Sequence, residues 1–324
     1  MENPERAVGG IAVRTPPDVE LRPLGRDDLR MAVAMARELH GHPPLDDAEA
    51  FRSRLAALIN SVDVAPFLAV EAGQPVGLGI LQFRRRLNFA TFEGWVSELY
   101  VTEAARGRGI GRALLGALVA EWRLRGSHRL QANVPDGSAA AALLLTVAGF
   151  EEWMLDFRLR PIHAPPVTMP DGVSLRPVRE DDEEPVTRLL AEFGAARTPA
   201  PERAEAVLRT FADHLRRVAD GSLASTVAEL DGELVGVCSL EWQQPFWTDE
   251  THTWVADLLV TEHARGSGIG RALLASALRT AEDRGAAQVS LETGHTRLAA
   301  HGLYRSMGFA ESGRTYLLRQ QATS

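Results

Sequence analysis

Two short stretches of this chain carry residue types and spacings suited to holding an anion: Arg106-Gly107-Arg108-Gly109-Ile110-Gly111-Arg112 and Arg265-Gly266-Ser267-Gly268-Ile269-Gly270-Arg271. Glycines let a backbone approach a negative group closely, and a helix opening just behind them offers unpaired N–H groups and the positive end of its dipole. Arg112 and Arg271 stand beside that first helical turn. A loop that uses its glycines only to start a helix is the bland alternative. Two near-identical copies favour the anion cradle. A dinucleotide fingerprint would need G-x-G-x-x-G after the first strand and an acidic residue about twenty positions later. The glycines here are spaced Gly107-x-Gly109-x-Gly111 and lie deep in the repeat, and the Gly-Lys-Ser/Thr of a nucleotide-triphosphate loop is absent.

Both cradles belong to a longer internal repeat. The segment Leu99 to Leu115 returns as Leu258 to Leu274, with fourteen of seventeen positions identical and Arg106 recurring as Arg265, an offset of 159. The same offset pairs Gly77 with Gly236, Trp95 with Trp254, and Gly149-Phe150 with Gly308-Phe309. A period this long means two domains rather than a solenoid. The boundaries expected are a tail at 1–18, a first domain at 19–160, a proline-rich linker at 161–172 and a second domain at 173–321. Within each copy a short strand leads to an amphipathic helix capped by Asp27 or Asp181, and a second helix follows. Next come two strands joined at Ala72-Gly73 or Asp231-Gly232, then a strand at Trp95–Val101 or Trp254–Val260 that runs into the glycine loop. A helix, a strand, another helix and a last strand complete the unit. The fold class expected is α+β (mixed α/β): in each copy a mixed, mostly antiparallel sheet with helices packed on both faces.

Composition narrows the function classes. Net charge is −8, with 35 basic and 43 acidic residues, which argues against nucleic acid as the main partner. No run of eighteen apolar residues suggests a membrane span, and the lone Cys238 suits a reducing cytoplasm. Cys238 lies in an apolar run and reads as a small buried residue. His40-x-His42 beside Pro43-Pro44 has no third ligand in view, so no metal is expected.

The loops resemble the pyrophosphate motif of the GCN5-related N-acetyltransferase (GNAT) superfamily. That motif, Arg/Gln-x-x-Gly-x-Gly/Ala, is met by Arg106-x-x-Gly109-x-Gly111 and by Arg265-x-x-Gly268-x-Gly270. The preceding apolar strand and the closing Gly-Phe pairs at Phe150 and Phe309 are similar too. The resemblance implies acetyl-CoA as cofactor, its pyrophosphate held at Arg106–Arg112 and Arg265–Arg271. It further implies that strand edges at Leu99 and Val101, or Leu258 and Val260, meet the pantetheine arm. A small-molecule amine is the acceptor expected, in a monomer whose two halves pack like the chains of a dimer. An amine of pKa near 10.4 is neutral about once in 2,500 molecules at pH 7, a deficit of about 5 kcal/mol, so a base or a path to water matters.

By the same resemblance, Tyr304, five residues before Phe309, is the acid for the departing thiolate; as a plain reading it is a core aromatic on a helix. Its counterpart in the first copy is Leu145, which has no proton to give. The asparagine often found seven residues before the tyrosine is Arg297, and Ser267 replaces Arg108, removing one positive charge. Asp257 and Glu98, at equivalent points before the pantetheine edge, are the candidate bases, with a structural role as the alternative for each; Glu241, Glu292 and His295 are further candidates. The loop after the third strand carries Arg84-Arg85-Arg86 in one copy, suiting an anion, and Glu241-Trp242 through Phe246-Trp247-Thr248-Asp249-Glu250 in the other, suiting a cation. Solvated charge is the alternative for both. The readings left open are an N-acetyltransferase working in the second half, a non-catalytic acetyl-CoA-binding or sensing protein, and acetylation of a protein amine.

Overall fold

The computed structural model of the protein describes residues 7–8, 11–12, 15–40, 48–87, 92–192, 200–245, 248 and 250–320. His42 with Pro43-Pro44, and Phe246, Trp247 and Asp249 of the aromatic loop, lie outside the described residues, as does the side chain of His40. The first repeat runs β1 (Ala7–Val8), β2 (Ile11–Ala12), β3 (Val19–Pro23), α1 (Leu29–His40), α2 (Ala48–Asn60), β4 (Val64–Glu71), β5 (Gln74–Arg84), β6 (Glu93–Val101), α3 (Ile110–Leu124), β7 (Arg129–Pro135), α4 (Ala139–Val147) and β8 (Glu151–Leu159). The second runs β9 (Val173–Pro177), α5 (Glu183–Glu192), α6 (Ala200–Ala219), β10 (Leu223–Leu230), β11 (Glu233–Gln243), β12 (His252–Val260), α7 (Ile269–Asp283), β13 (Gln288–Gly294), α8 (Leu298–Ser306) and β14 (Ala310–Arg319).

Strand alternation puts helices on both faces of the sheet. Leu68, Leu78 and Ile80 are buried with Met35 of α1 and Leu55 of α2. On the opposite face, a Cβ on Gly77 would stand 2.8 Å from Leu114 Cδ1 of α3, so the helix seats directly on backbone. Gly236 repeats this against Leu273 of α7 at 2.9 Å. The helix caps differ from expectation by one residue. Each first helix opens with a 3-10 turn, and Asp28 and Asp182, not Asp27 and Asp181, accept the backbone N–H of Gly25 and Arg179 at 2.9 and 2.7 Å. The same carboxylates bind Arg22 and Arg176 of the opening strands, each through a 2.7 Å bond, so the cap is chosen by an ion pair from β3 or β9.

Twelve strands form one continuous sheet in the order β3-β4-β5-β6-β7-β14-β8-β13-β12-β11-β10-β9. Only β6/β7 and β12/β13 are parallel neighbours in it. The last strand of each repeat does not complete its own unit. β14 pairs with β7 of the first repeat, and β8 pairs with β13 of the second. Each thereby covers an edge that would otherwise present unpaired backbone groups. β8 and β14 also pair with each other at the centre, where the two repeats meet.

Candidate active site

A fork in the sheet creates the site. β12 and β13 are in register over 252–254 and 288–290 only, and part beyond that. A cleft of about 660 Å³ opens between them, lined by Asp257, Leu258, Glu292, Arg297 and Tyr304. The first repeat contributes Arg86, Arg129 and the β8 residues Glu152 to Met154 to the same cleft. In the first repeat β6 and β7 part in the same way beyond 93–96 and 129–132. A β-bulge sits in each splayed strand: Ser239 faces Asp257 while Leu240 faces Val255, which leaves Ala256 as the extra residue, and Ser97 is extra in β6. Bulges re-aim the next side chain, and the next residues are Asp257 and Glu98.

Asp257 is 7% exposed. Burial pushes its carboxyl up to about 6, Arg86 pulls it down, Glu241 pushes it up, and a hydrogen bond from Ser239 pulls it down. Tyr304, on α8, packs its ring between Phe309 and Phe157, centroids 6.1 and 5.8 Å away. Burial pushes its phenol up to about 12. Leu145 occupies the corresponding place on α4 and is buried at 3% exposure. Cys238 lies beneath the second cleft, buried, its thiol pushed up to about 12 by burial and by Asp257. An adjoining groove of about 580 Å³, which shares Leu291 and Glu292 with the cleft, runs between the repeats and takes in Glu98, Trp95, Asn133, Asp156 and Trp254. Glu98 and Asp257 therefore line different cavities.

Each glycine loop turns through two left-handed residues: Gly107 at φ 76° and Gly109 at 85°, Gly266 at 80° and Gly268 at 91°. Nothing stands within 4 Å of a Cβ at Gly107, Gly109 or Gly266; at Gly268 the linker's Pro170 comes to 3.4 Å. The open loop, running straight into the N-terminus of α3 or α7, fits a pyrophosphate held by backbone amides. The motif arginines brace the loop: Arg106 and Arg265 donate through Nε to Val101 O and Val260 O, both at 3.1 Å. Arg108 is bound by Glu71, with a 2.8 Å bond from Nη1, so the extra positive charge expected at the first loop is neutralised. Ser267 donates to Ala264 O at 2.6 Å, and Arg271 donates to Ser306 Oγ at 2.6 Å.

Of the run Arg84-Arg85-Arg86, only Arg85 faces solvent; Arg84 and Arg86 turn inward and form no anion rim. Arg84 is 5% exposed, its guanidinium 4.4 Å from the Trp95 ring centre and 4.2 Å from that of Trp254. Arg85 reaches Asp213 at 3.3 Å, and Arg86 reaches Glu93 at 3.5 Å and Glu292 at 2.9 Å. Burial would raise the Glu93 carboxyl, but Arg86, Arg129 and Arg84 together hold it down at about 2. The acidic rim is also partly spent: Glu250 takes a double hydrogen bond from Arg160 at 2.7 and 2.8 Å. Glu241 pairs with Arg217 at 2.8 Å, and His295 stands 3.5 Å from Glu152. Arg86 and Arg129 are the cleft residues that sequence missed; nothing local to the arginine run shows that it crosses into the other repeat. No group of three or more His, Cys, Asp or Glu side chains suited to a metal occurs among the described residues.

The profile of the Acetyltransferase (GNAT) family matches the chain twice, at residues 31–150 and 186–309. A mycothiol acetyltransferase of Streptomyces avermitilis is 32% identical over 67% of this chain and 69% of its own length. Another, of Renibacterium salmoninarum, is 28% identical over 85% and 81%. Among solved structures, a tandem GNAT protein from the clavulanic acid biosynthesis pathway superposes with TM-score 0.63 at 17% identity, covering 94% of this chain and all of that one. A GCN5-related N-acetyltransferase from Sphaerobacter thermophilus gives 0.64 at 19% identity, covering 94% and 97%. These structures share the fold. With both repeats matched by the family profile, the chain belongs to the GNAT acetyltransferase family as a tandem, acetyl-CoA-dependent N-acetyltransferase.

Proposed function

We propose that the second repeat is the working enzyme and that it acetylates a primary amine of a small molecule. One observation carries this reading: Asp257 and Tyr304 line a single cleft at the β12/β13 fork, whereas the first repeat has Leu145 in the tyrosine's place. Acetyl-CoA supplies a thioester whose acetyl group an amine can attack directly. Backbone amides from Gly266 to Gly270 would hold its pyrophosphate, and the freed edge of β12 from Leu258 to Val260 would lie along its pantetheine arm. Asp257 takes the ammonium proton on its carboxylate. A carboxyl near 6 is mostly ionised at neutral pH yet is a stronger base than an exposed aspartate, which suits a general base. Tyr304 keeps its proton on the phenolic oxygen and presents it to the sulfur as negative charge develops there. Burial among Phe157, Phe309 and Leu291 keeps water from that end of the cleft.

The first repeat, in this reading, holds cofactor or packs without turning over, and Glu98 is not a working base. Since the relatives named above are mycothiol acetyltransferases, a mycothiol-related amine is the acceptor class to try first. The test compares Gly109→Glu with Gly268→Glu by calorimetry against acetyl-CoA and by transfer to mycothiol lacking its acetyl group. Both glycines are left-handed, so backbone strain at the two positions is alike, and Gly268→Ala beside Gly268→Glu separates the Pro170 contact from the added charge. Transfer should vanish with Gly268→Glu and survive Gly109→Glu. Loss with Gly109→Glu alone would move the active site to the first repeat.

A further inference from the structure

The two forks are built differently at the point where their strands part. Trp95 and Trp254 are equivalent, as are Asn133 and Glu292 on the neighbouring strands. In the first fork Trp95 Nε1 donates to Asn133 Oδ1 at 2.8 Å, a direct tie between β6 and β7. In the second fork an arginine stands between the same two positions. The Arg86 guanidinium lies 4.4 Å from the Trp254 ring centre, and its Nη2 donates to Glu292 Oε2 at 2.9 Å. Trp254 Nε1 is left buried without a protein partner among the described residues. An unpaired buried donor is destabilising, and the first fork shows that a neutral solution exists. Arg86 comes from the first repeat, and the residue matching it in the second is Pro245.

We infer that Arg86 is a positioning residue of the second repeat's site: it bridges Trp254 and Glu292 across the β12/β13 fork and places a fixed positive charge beside Asp257. This rests on the reading of Asp257 as the base. Arg86 and Asp257 line the same cleft. The groups bearing on the carboxylate are Arg86 from the β5–β6 loop, Glu93 of β6, Glu241, Ser239 and Cys238 of β11, and Glu292 and Tyr304 across the cleft. Glu93 and Glu241 push Asp257 towards the neutral acid, and Arg86 opposes both them and burial. Arg86 stays charged because Glu93, Glu292 and Asp257 outweigh its own burial. The first repeat would thus take part in the reaction through one guanidinium, without turning over itself.

The test titrates the full-length chain carrying ¹³C-labelled aspartate carboxyls, with Asp257→Asn assigning the resonance. Arg86→Met should raise the Asp257 midpoint by a unit or more, so that the ionised fraction at pH 7 falls from about nine-tenths to about half or less, and Arg86→Lys should restore it. Should Arg86→Met not fold, Arg86→Met/Glu292→Asn recreates the first fork's neutral tie, and removing both partners of a buried pair is better tolerated than removing one. It should show a smaller rise, since the Glu292 charge leaves together with the Arg86 charge, with unchanged acetyl-CoA binding by calorimetry and transfer to deacetylated mycothiol reduced about twofold or more at pH 6. A folded variant whose Asp257 midpoint stays at the wild-type value overturns the inference. Full transfer activity in Asp257→Asn would instead overturn the base reading on which it stands.

Discussion

Tyr304 shows how burial decides what a side chain can contribute. A phenol near 12 facing a thiol near 8.5 would give up its proton only at a cost of about 5 kcal/mol, so complete transfer ahead of C–S cleavage is disfavoured. What burial does secure is a hydroxyl that remains protonated across the physiological range and can hydrogen-bond a developing thiolate. Hydrogen bonds to charged groups contribute roughly 1.5–3 kcal/mol. Tyr304→Phe should therefore lower kcat about 10- to 100-fold, leave acetyl-CoA affinity unchanged, and produce no new basic limb below pH 10; stopped-assay pH profiles with calorimetry check all three. Equal kcat in the variant would leave Tyr304 as the ring that fills the space beside Phe157. At this scale the repeated motif marked Gly268, which takes a left-handed turn, and Tyr304 and Asp257, named from sequence as acid and base, line one cleft, their roles being the proposal made above. The sequence was silent on partners. Arg108 stands out from its spacing as a phosphate ligand, yet Glu71, thirty-seven residues away on another strand, occupies it.

The exchanged strands meet around one buried carboxyl. Asp156 of β8 accepts 2.9 Å from Asn133 Nδ2 of β7, is bonded by Thr315 of β14, and sits in register with Glu292 of β13. Burial and the Glu292 charge push the Asp156 carboxyl well above the ordinary aspartate range, against the two hydrogen bonds. A raised folded-state value means that the folded chain favours the protonated acid. Its contribution is fully present below the unfolded aspartate value near 3.9 and is lost as pH rises from there through the folded one. Asp156→Asn removes that loss, since a neutral amide can still accept from Asn133. Its melting temperature relative to wild type should rise steadily between pH 5 and pH 8; a pH-independent difference would show that Asp156 is ionised in the fold at no cost. Most elements were legible from period and turn chemistry. Asp231-Gly232 marks a hairpin whose two residues take φ 53° and 86°, as a type I′ turn requires. The exchange of β8 and β14 was not, because the repeats are alike and nothing in either strand specifies which copy's edge it covers.

At the scale of the molecule the repeats hold each other's interiors. Leu87 of the first is 3% exposed among Val178, Leu189 and Phe211 of the second. Phe157 of β8 is fully buried against the second repeat's α8, where it packs on Tyr304 and on His301 at 5.7 Å. Removing residues 1–160 would strip β13 of its β8 neighbour and β14 of both its partners. It would also leave Glu292 without Arg86 and Glu250 without Arg160. Loss of the Phe157 ring alone is of the order of a large-to-small core substitution, about 3–5 kcal/mol, which is a large share of a typical domain's stability. Residues 161–324 on their own should therefore show no cooperative melting transition and no acetyl-CoA binding. Co-expression with residues 1–160 should restore both, because the two pieces carry every strand of the sheet and the cut falls beside the strand-free segment after Leu159. Circular dichroism and calorimetry on the fragment and on the reconstituted pair read the outcome directly. A fragment that melts cooperatively and binds acetyl-CoA like the intact chain would mean that the second repeat can close its sheet with β14 alone, and that the exchange adds affinity between repeats without being needed to form the site.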